Sequence, residues 1–189
     1  MKPIAVELKL NMRACCLILL CLAVAGWVAP VARADSREPS PVFQRPTASA
    51  VDRILVRKGE RRLYLLSGDE VMRSYRVSLG LEPVGRKDRS GDFRTPEGVY
   101  RLGRRNRRSD YFLSIQITYP NRDDMLRARR NGWQPGGSIM IHGLPNEMHK
   151  EPEYYATQDW TNGCIALSNA DMLEIWTLVS NNTPIEILP

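Results

Sequence analysis

Ile139-Met140-Ile141-His142-Gly143 and Thr161-Asn162-Gly163-Cys164-Ile165 are the two segments that decide how this sequence folds. The first is apolar and β-branched, and it predicts a short buried strand that ends at His142. The second places Cys164 directly after Asn-Gly, a dipeptide that favours tight turns and positive φ angles. We therefore predict that an imidazole and a thiol, far apart in the sequence, lie close together in the folded chain.

A cysteine beside a histidine is the arrangement of a nucleophile with its base. A free thiol has a pKa of about 8.5 and is mostly protonated at neutral pH, so it needs a base to become reactive. We assign Cys164 as the nucleophile and His142 as the general base, and we expect the backbone after His142 to hold its other ring nitrogen. Supporting roles in turn geometry, oxyanion binding and contact with the thiol are assigned to the neighbours Thr161, Asn162, Gly163 and Gly143.

Metal binding is a rival use of the same side chains. A structural zinc site needs four ligands at compact spacings, and His142, His149 and Cys164 do not supply such a set. We expect no metal and no cofactor. His149 lies in a polar segment and is expected to be exposed, at the border of the substrate groove.

The first 34 residues have the pattern of an export signal. Three basic residues precede an apolar run over residues 14–28, and Ala32-Arg33-Ala34 provides a cleavage site. An uncleaved signal that anchors the chain in a membrane is the alternative. Residues 35–50 are rich in Pro, Ser and Ala and predict a disordered spacer, while residues 51–189 suffice for one domain with its own core. We expect the chain to work in the periplasm or cell envelope.

Removal of residues 1–34 leaves a chain with one cysteine and little net charge. Three of the four cysteines lie in the signal, so Cys164 cannot form a disulfide within the mature chain. The full chain has 27 Lys and Arg residues against 21 Asp and Glu, and without the signal its net charge is +3. The arginines between positions 101 and 108 are interpreted as a solvated basic face, or one attracted to an anionic envelope polymer; nucleic acid is not an expected partner.

The hydrophobic pattern of residues 51–189 predicts an α+β domain that is rich in strands. Strands are expected over residues 52–57, 62–66, 71–79, 96–102, 111–117, 139–141 and 184–188. In the third of these, Val71, Tyr75 and Val77 fit one face. Helices are expected over residues 123–130 and after Ser168, which has Asp171 at the third helical position.

These residues resemble the L,D-transpeptidase catalytic domain of the YkuD type, whose signature is a histidine after a strand, followed by Ser/Thr-His-Gly-Cys. Here Ile141-His142-Gly143 and Thr161-Asn162-Gly163-Cys164 carry the resemblance. Three further segments are similar to the same family and extend the match over most of residues 51–189: residues 61–65, 91–98 and 114–121. The resemblance implies mixed sheets with a few short helices.

The resemblance also implies an enzyme that remodels peptidoglycan outside the cytoplasmic membrane. In the family, the cysteine attacks the meso-diaminopimelate carbonyl of a donor stem peptide, D-alanine leaves, and a thioester forms. An amine of a second stem then resolves the thioester to give a 3→3 cross-link. Some relatives use a lipoprotein lysine as the acceptor, and others hydrolyse the thioester. Stem peptides are therefore the implied substrates, and an envelope lipoprotein is an alternative acceptor.

The sequence departs from the family pattern at Asn162, where the usual residue is histidine, and at Ala166, where arginine is common. Asparagine cannot titrate, which leaves His142 as the only base and the acyl acceptor open. The polar segment 144–159 is expected to cover the acceptor side, with Tyr154 and Tyr155 stacking on substrate and excluding water, which favours transfer. Two alternatives stay open: a hydrolase that trims stems or releases bound lipoprotein, and a non-catalytic domain that binds the envelope.

Overall fold

The structure is a computed structural model that describes residues 51–189; the predicted signal and spacer lie outside the described residues. Within this range the chain forms eight strands and three helices. The strands are β1 (Arg53–Arg57), β2 (Arg62–Ser67), β3 (Glu70–Arg76), β4 (Gly98–Ser109), β5 (Phe112–Ile117), β6 (Met140–His142), β7 (Ile165–Ala166) and β8 (Pro184–Leu188). The helices are α1 (Arg122–Arg130), α2 (Pro152–Thr157) and α3 (Asn169–Leu178).

The strands form one mixed sheet in the order β3-β2-β1-β8-β4-β5-β6-β7. β1 pairs in parallel with β8, and β8 pairs antiparallel with β4, so both ends of the domain meet inside the sheet. Ile54 and Val56 of β1 and Ile185 and Ile187 of β8 are fully buried, as the two-residue period of a strand requires. The predicted α+β class, with a mixed sheet and a few short helices, is confirmed.

Most predicted elements agree with the structure, and the differences arise where pairing overrides the local pattern. β4 continues to Ser109 instead of ending near residue 102, because its second half forms a long hairpin with β5. A bulge between Leu65 and Leu66 shifts the register against β3 and turns Val71 out to solvent. The prediction that Val71 shares a face with the buried Tyr75 is therefore wrong.

Residues at the N-termini of α3 and α2 determine where these helices begin. α3 begins where predicted, because the Ser168 hydroxyl accepts the Asp171 N–H at 3.1 Å. α2 lies in the segment for which the sequence predicts only a polar loop; Pro152 begins it with a preset φ angle. No helix among residues 51–189 is long and apolar enough to cross a membrane.

The residues after β3 close the sheet against its other edge. Ser78 exchanges two backbone hydrogen bonds of 2.9 Å with Ala166 of β7, although β3 and β7 are the opposite edge strands. The carboxylate of Asp159 fixes the chain that leads to β7, because it accepts the Leu79 N–H at 2.9 Å and the Arg61 Nε–H at 2.9 Å. The short strand β7 is therefore held from both sides.

Replacing Asp159 by Ala should lower the free energy of unfolding by about 2 kcal/mol, because it leaves a backbone donor and a half-buried guanidinium without their shared acceptor. Asp69→Ala is the matched control: its contact with Arg53 is fully exposed, so the change should be within about 0.5 kcal/mol. Urea unfolding of both variants measures the difference. Equal effects would mean that Asp159 does not hold β7.

Candidate active site

The pairing of β6 with β7 brings the predicted histidine and cysteine to one face of the sheet. The two strands run parallel, with Ile141 opposite Ile165 and His142 opposite Ala166. Because side chains alternate between the two faces, Cys164, two residues before Ala166, lies on the same face as His142 and diagonal to it. Both side chains line a single cleft of about 480 Å³.

A tight turn presents the cysteine to this cleft. The Thr161 hydroxyl accepts the Gly163 N–H at 3.0 Å and donates to the Cys164 carbonyl at 2.8 Å, so it closes the turn from both ends. Gly163 has a φ of 122°, and a Cβ there would stand 2.5 Å from the Arg94 carbonyl oxygen. Only glycine fits this position.

The turn also decides which backbone group is free to bind an oxyanion. The Gly163 N–H is already engaged by Thr161. The Cys164 N–H donates to no acceptor among residues 51–189. It is therefore the candidate donor for the oxyanion that forms when the thiol attacks a carbonyl. Thr161 and Gly163 therefore shape the turn, and neither supplies a free donor.

The backbone of Gly143 sets the tautomer of His142. The ring Nδ1 lies 2.7 Å from the Gly143 carbonyl oxygen. A carbonyl only accepts, so Nδ1 carries the proton and Nε2 keeps its lone pair, the form needed to take a proton from a thiol. Gly143 is itself confined: a Cβ would meet Asn169 Oδ1 at 2.5 Å.

His142 is held neutral by burial. It is 4% exposed and packs against the rings of Tyr111, at 4.6 Å between centroids, and Trp160, at 5.6 Å. Burial lowers the pKa of His142 from its ordinary 6.5 to about 4, and the hydrogen bond to the Gly143 carbonyl opposes this only in part. At neutral pH the imidazole is therefore an unprotonated base.

Cys164 also rests in its neutral form. Its Sγ lies 3.7 Å from the Ser138 carbonyl oxygen, which accepts from a thiol but repels a thiolate. Burial raises the pKa of the Cys164 thiol above its ordinary value, while the Met140 N–H and the charge of Lys87 act in the opposite direction. The resting site is thus a neutral thiol with a neutral base, rather than a thiolate–imidazolium pair.

Charged, hydroxyl and aromatic side chains also line the cleft. Arg108 and Asp110 contribute its opposite charges, and Ser114 stands beside His142 because β5 and β6 pair at these residues. Tyr111 and Trp160 form an aromatic wall. Alternation along β5 would have found Ser114, but Arg108 and Asp110 depend on the unpredicted extension of β4.

The other residues predicted for the site differ in their position and exposure in the structure. Asn162 is exposed at the mouth of the cleft. His149 is exposed, as expected, and lines an adjoining cavity of about 400 Å³. Tyr155 is buried against Trp160, so the expectation that it stacks on substrate is wrong; Tyr154 stays partly exposed. Within residues 51–189, no group of three His, Cys, Asp or Glu side chains is arranged to hold a metal ion.

Comparison with known proteins gives consistent matches. A family model described as YkuD, the L,D-transpeptidase catalytic domain, matches residues 51–187. A protein of Escherichia coli (strain K12) named "Putative L,D-transpeptidase YafK" is 28% identical over 173 residues, 87% of this chain and 61% of that protein. This chain therefore spans less than two thirds of the length of that relative.

Solved structures of two other proteins share the fold. The helical cell shape determining protein Pgp2 from Campylobacter jejuni has a TM-score of 0.54 at 28% identity, over 71% of this chain and 46% of Pgp2. Bd1075 of Bdellovibrio bacteriovorus has a TM-score of 0.50 at 24% identity, over 75% of this chain and 49% of Bd1075. In each comparison, about half of the other protein lies outside the region that matches this chain.

Alkylation of Cys164 by iodoacetamide should proceed in the folded chain and depend on His142. Near neutral pH, His142→Asn should slow alkylation by about 100-fold, because no base remains to take the thiol proton. Above the pKa of the thiol, the two rates should converge. Peptide mapping by mass spectrometry separates Cys164 from the cysteines of residues 1–34. A requirement for denaturant, or equal rates at neutral pH, would contradict these roles.

The stability of the fold should depend on pH through His142. An unfolded histidine binds a proton below pH 6.5, whereas His142 binds one only near pH 4. Its contribution to stability is therefore complete above pH 6.5 and is lost as the pH falls towards 4, by about 3 kcal/mol in all. His142→Asn keeps a donor for the Gly143 carbonyl but does not titrate. Urea unfolding between pH 7 and pH 4 should show a shallower decline in this variant.

Proposed function

Because the chain belongs to the YkuD family of L,D-transpeptidase catalytic domains, we propose that it is a cysteine acyltransferase that acts on the stem peptides of peptidoglycan. The observation that carries the proposal is the cleft in which an unprotonated His142 shares a face with Cys164. In this proposal residues 1–34 are an export signal, residues 35–50 a spacer and residues 51–189 the catalytic domain, which works in the periplasm.

The first half-reaction forms a thioester. Cys164 Sγ attacks the meso-diaminopimelate carbonyl of a donor stem while its proton passes to His142 Nε2. The oxyanion of the tetrahedral intermediate accepts the Cys164 N–H. His142 then gives the proton to the nitrogen of the departing D-alanine, and the C–N bond breaks. Since thiol and imidazole both begin neutral, this sequence ends with both neutral and creates no net charge in the buried site.

The charges in the cleft suit the donor. Meso-diaminopimelate carries an ammonium and a carboxylate at the far end of its side chain. Asp110 and Arg108, both on the cleft wall, offer the complementary pair. We assign them to this zwitterionic group, and Tyr111 with Trp160 to the apolar part of the same side chain.

The second half-reaction requires an amine. The adjoining cavity shares Asp110 and Tyr111 with the cleft and adds Glu147 and His149, so an acceptor there would pass Tyr111 to reach the thioester. The Glu147 carboxylate favours a cationic amine, from a second stem or from a lipoprotein lysine. The amine first gives its extra proton to water, because only the neutral amine has a lone pair for attack. His142 takes a second proton from the amine as it attacks the thioester carbonyl, and returns it to Cys164 Sγ as the C–S bond breaks.

Hydrolysis is a second candidate, favoured by two observations. Tyr155, expected to exclude water from the acceptor side, is instead buried against Trp160, and Asn162 is exposed at the mouth of the cleft. Water reaching the thioester would trim stems to tripeptides, or release a lipoprotein bound through the same carbonyl. Pgp2, a helical cell shape determining protein, shares this fold; either reaction would alter the peptidoglycan that gives a cell its shape.

Incubation with disaccharide-tetrapeptide should give an acyl-enzyme at Cys164, free D-alanine and a cross-linked dimer. Cys164→Ser should give no thioester. Glu147→Gln should lower the yield of dimer by roughly threefold without changing the rate of acylation, because it weakens only the attraction of the amine. Glu151→Gln, on the nearby exposed surface, is the matched control. Mass spectrometry of protein and muropeptides follows each product.

The other outcomes are equally distinct. Tripeptide as the sole product, with an added amine never incorporated, would replace transfer by hydrolysis. The absence of any adduct on Cys164 would favour the non-catalytic envelope-binding domain.

A further inference from the structure

A cavity of about 360 Å³ lies outside the main cleft and has no part in the chemistry above. We call it the loop cavity, because most of its wall comes from the irregular segment before β4. Its main lining side chains are Glu82, Asp88, Arg89, Phe93, Arg94 and Trp133.

The wall of the loop cavity is a built structure. The buried carboxylate of Asp92 accepts the Lys87 ammonium at 2.7 Å, the Asp88 N–H at 2.8 Å and the Arg89 N–H at 3.0 Å. The side chains of Lys87 and Asp92 are 4% and 8% exposed. A buried ion pair that also organises backbone donors holds a loop in one conformation.

This rigid wall exposes two aromatic rings. Phe93 is 40% exposed and Trp133 is 41% exposed. Phe93 also has a φ of 54°, a conformation that is unfavourable for a residue with a Cβ. The strained backbone of Phe93 places a large apolar ring in solvent, where no packing within the protein compensates for the strain. Uncompensated strain of this kind is typical of ligand sites.

The loop cavity adjoins the main cleft. The Arg94 carbonyl, next to Phe93, lies against Gly163 of the catalytic turn. The Ser90 N–H donates at 2.7 Å to the Gln134 carbonyl, next to Trp133, and the same segment continues to Ser138 in the cleft wall. One layer of backbone therefore separates the two sites.

The charges around the loop cavity nearly cancel. Asp88 pairs with Arg127 at 3.1 Å, and Asp92 pairs with Lys87. Glu82 stands with Arg89 and Arg94 as the remaining charged side chains of the lining. This balance suits an uncharged ligand with many hydroxyl and amide groups better than a polyanion or a cationic amine.

We propose that the loop cavity binds the N-acetylated glycan strand of peptidoglycan, with Phe93 and Trp133 stacking on the apolar faces of the sugar rings. Flat aromatic rings flanked by carboxylates and guanidiniums provide both parts of sugar recognition: stacking for the C–H faces and hydrogen bonds for the hydroxyl and acetamido groups. The identity of the polymer rests on the proposed function. Three α-linked residues extend about 11 Å. The side-chain linkage of the second stem residue and the lactyl ether to the sugar add only a few ångströms, so the sugar must bind near the cleft.

The test separates the two sites by their tryptophans. The N-acetylglucosamine tetramer, which is uncharged and lacks a stem, is titrated into the full chain while the indole N–H resonances are followed by NMR. The tetramer should shift the Trp133 resonance, assigned by its loss in Trp133→Phe, and leave Trp160 of the main cleft unmoved. Free tetrapeptide should do the opposite.

Three variants complete the test. Trp133→Ala and Phe93→Gly should each weaken binding of the tetramer by about tenfold, the loss expected for one stacked ring. Phe93→Gly should at the same time leave the melting temperature unchanged or raise it, because glycine relieves the strain, so weakened binding cannot be attributed to unfolding. Leu173→Ala removes a comparably exposed apolar side chain from α3 and should change neither quantity.

The results distinguish this inference from the proposed function. A tetramer that leaves Trp133 unmoved, that shifts Trp160 alone, or that binds all variants equally would overturn the glycan site, even if Cys164 forms its thioester. A tetramer that binds at Trp133 in a chain that never acylates would support the glycan site and overturn the catalytic proposal.

Discussion

The parallel pairing of β6 with β7 is the interaction on which the candidate site depends. It joins only two residues of each strand, and it alone brings His142 and Cys164 to a common face. A ladder of this length does not persist unaided. Ser78 pairs with its outer edge, Thr161 closes the turn before it, and Asp159 fixes the approach. The geometry of the candidate site is therefore a property of the closed sheet rather than of the two motifs by themselves.

Burial shifts the pKa values of the two titrating groups in opposite directions, so that both groups are neutral in the resting state. It lowers the pKa of His142 and raises that of Cys164, so the thiol keeps its proton while the base is free to receive it. Thiolates are the species that oxidise. A protonated lone cysteine is thus protected in the oxidising compartment that we propose. In the proposed mechanism it becomes nucleophilic only as a substrate carbonyl arrives and the proton moves.

The features that the sequence predicts well are those set by local chemistry. The cap of α3, the alternation of β1 and β8, the glycine after Asn162 and the strand ending at His142 each depend on a few neighbouring residues. The sequence did not reveal features set by distant pairing: the second half of β4, which carries Arg108 and Asp110 into the cleft, and the bridge from Ser78 to Ala166. The predicted position of Tyr155 is wrong because no local sequence feature indicates that α2 packs the Tyr155 ring against Trp160.

Residues 91–98, identified by resemblance with no role attached, act as a scaffold for both cavities. Asp92 organises the loop that presents Phe93, the Thr95 hydroxyl accepts the Gly80 N–H at 3.0 Å, and Glu97 pairs with the buried Lys58 at 2.8 Å. Between Asp92 and Thr95, the carbonyl of Arg94 lies in close contact with Gly163. A single segment therefore supports the loop cavity on one side and the turn that carries Cys164 on the other. Because the Arg94 carbonyl and Gly163 approach each other closely through backbone atoms, the loop that presents Phe93 and the turn that carries Cys164 are packed directly against each other.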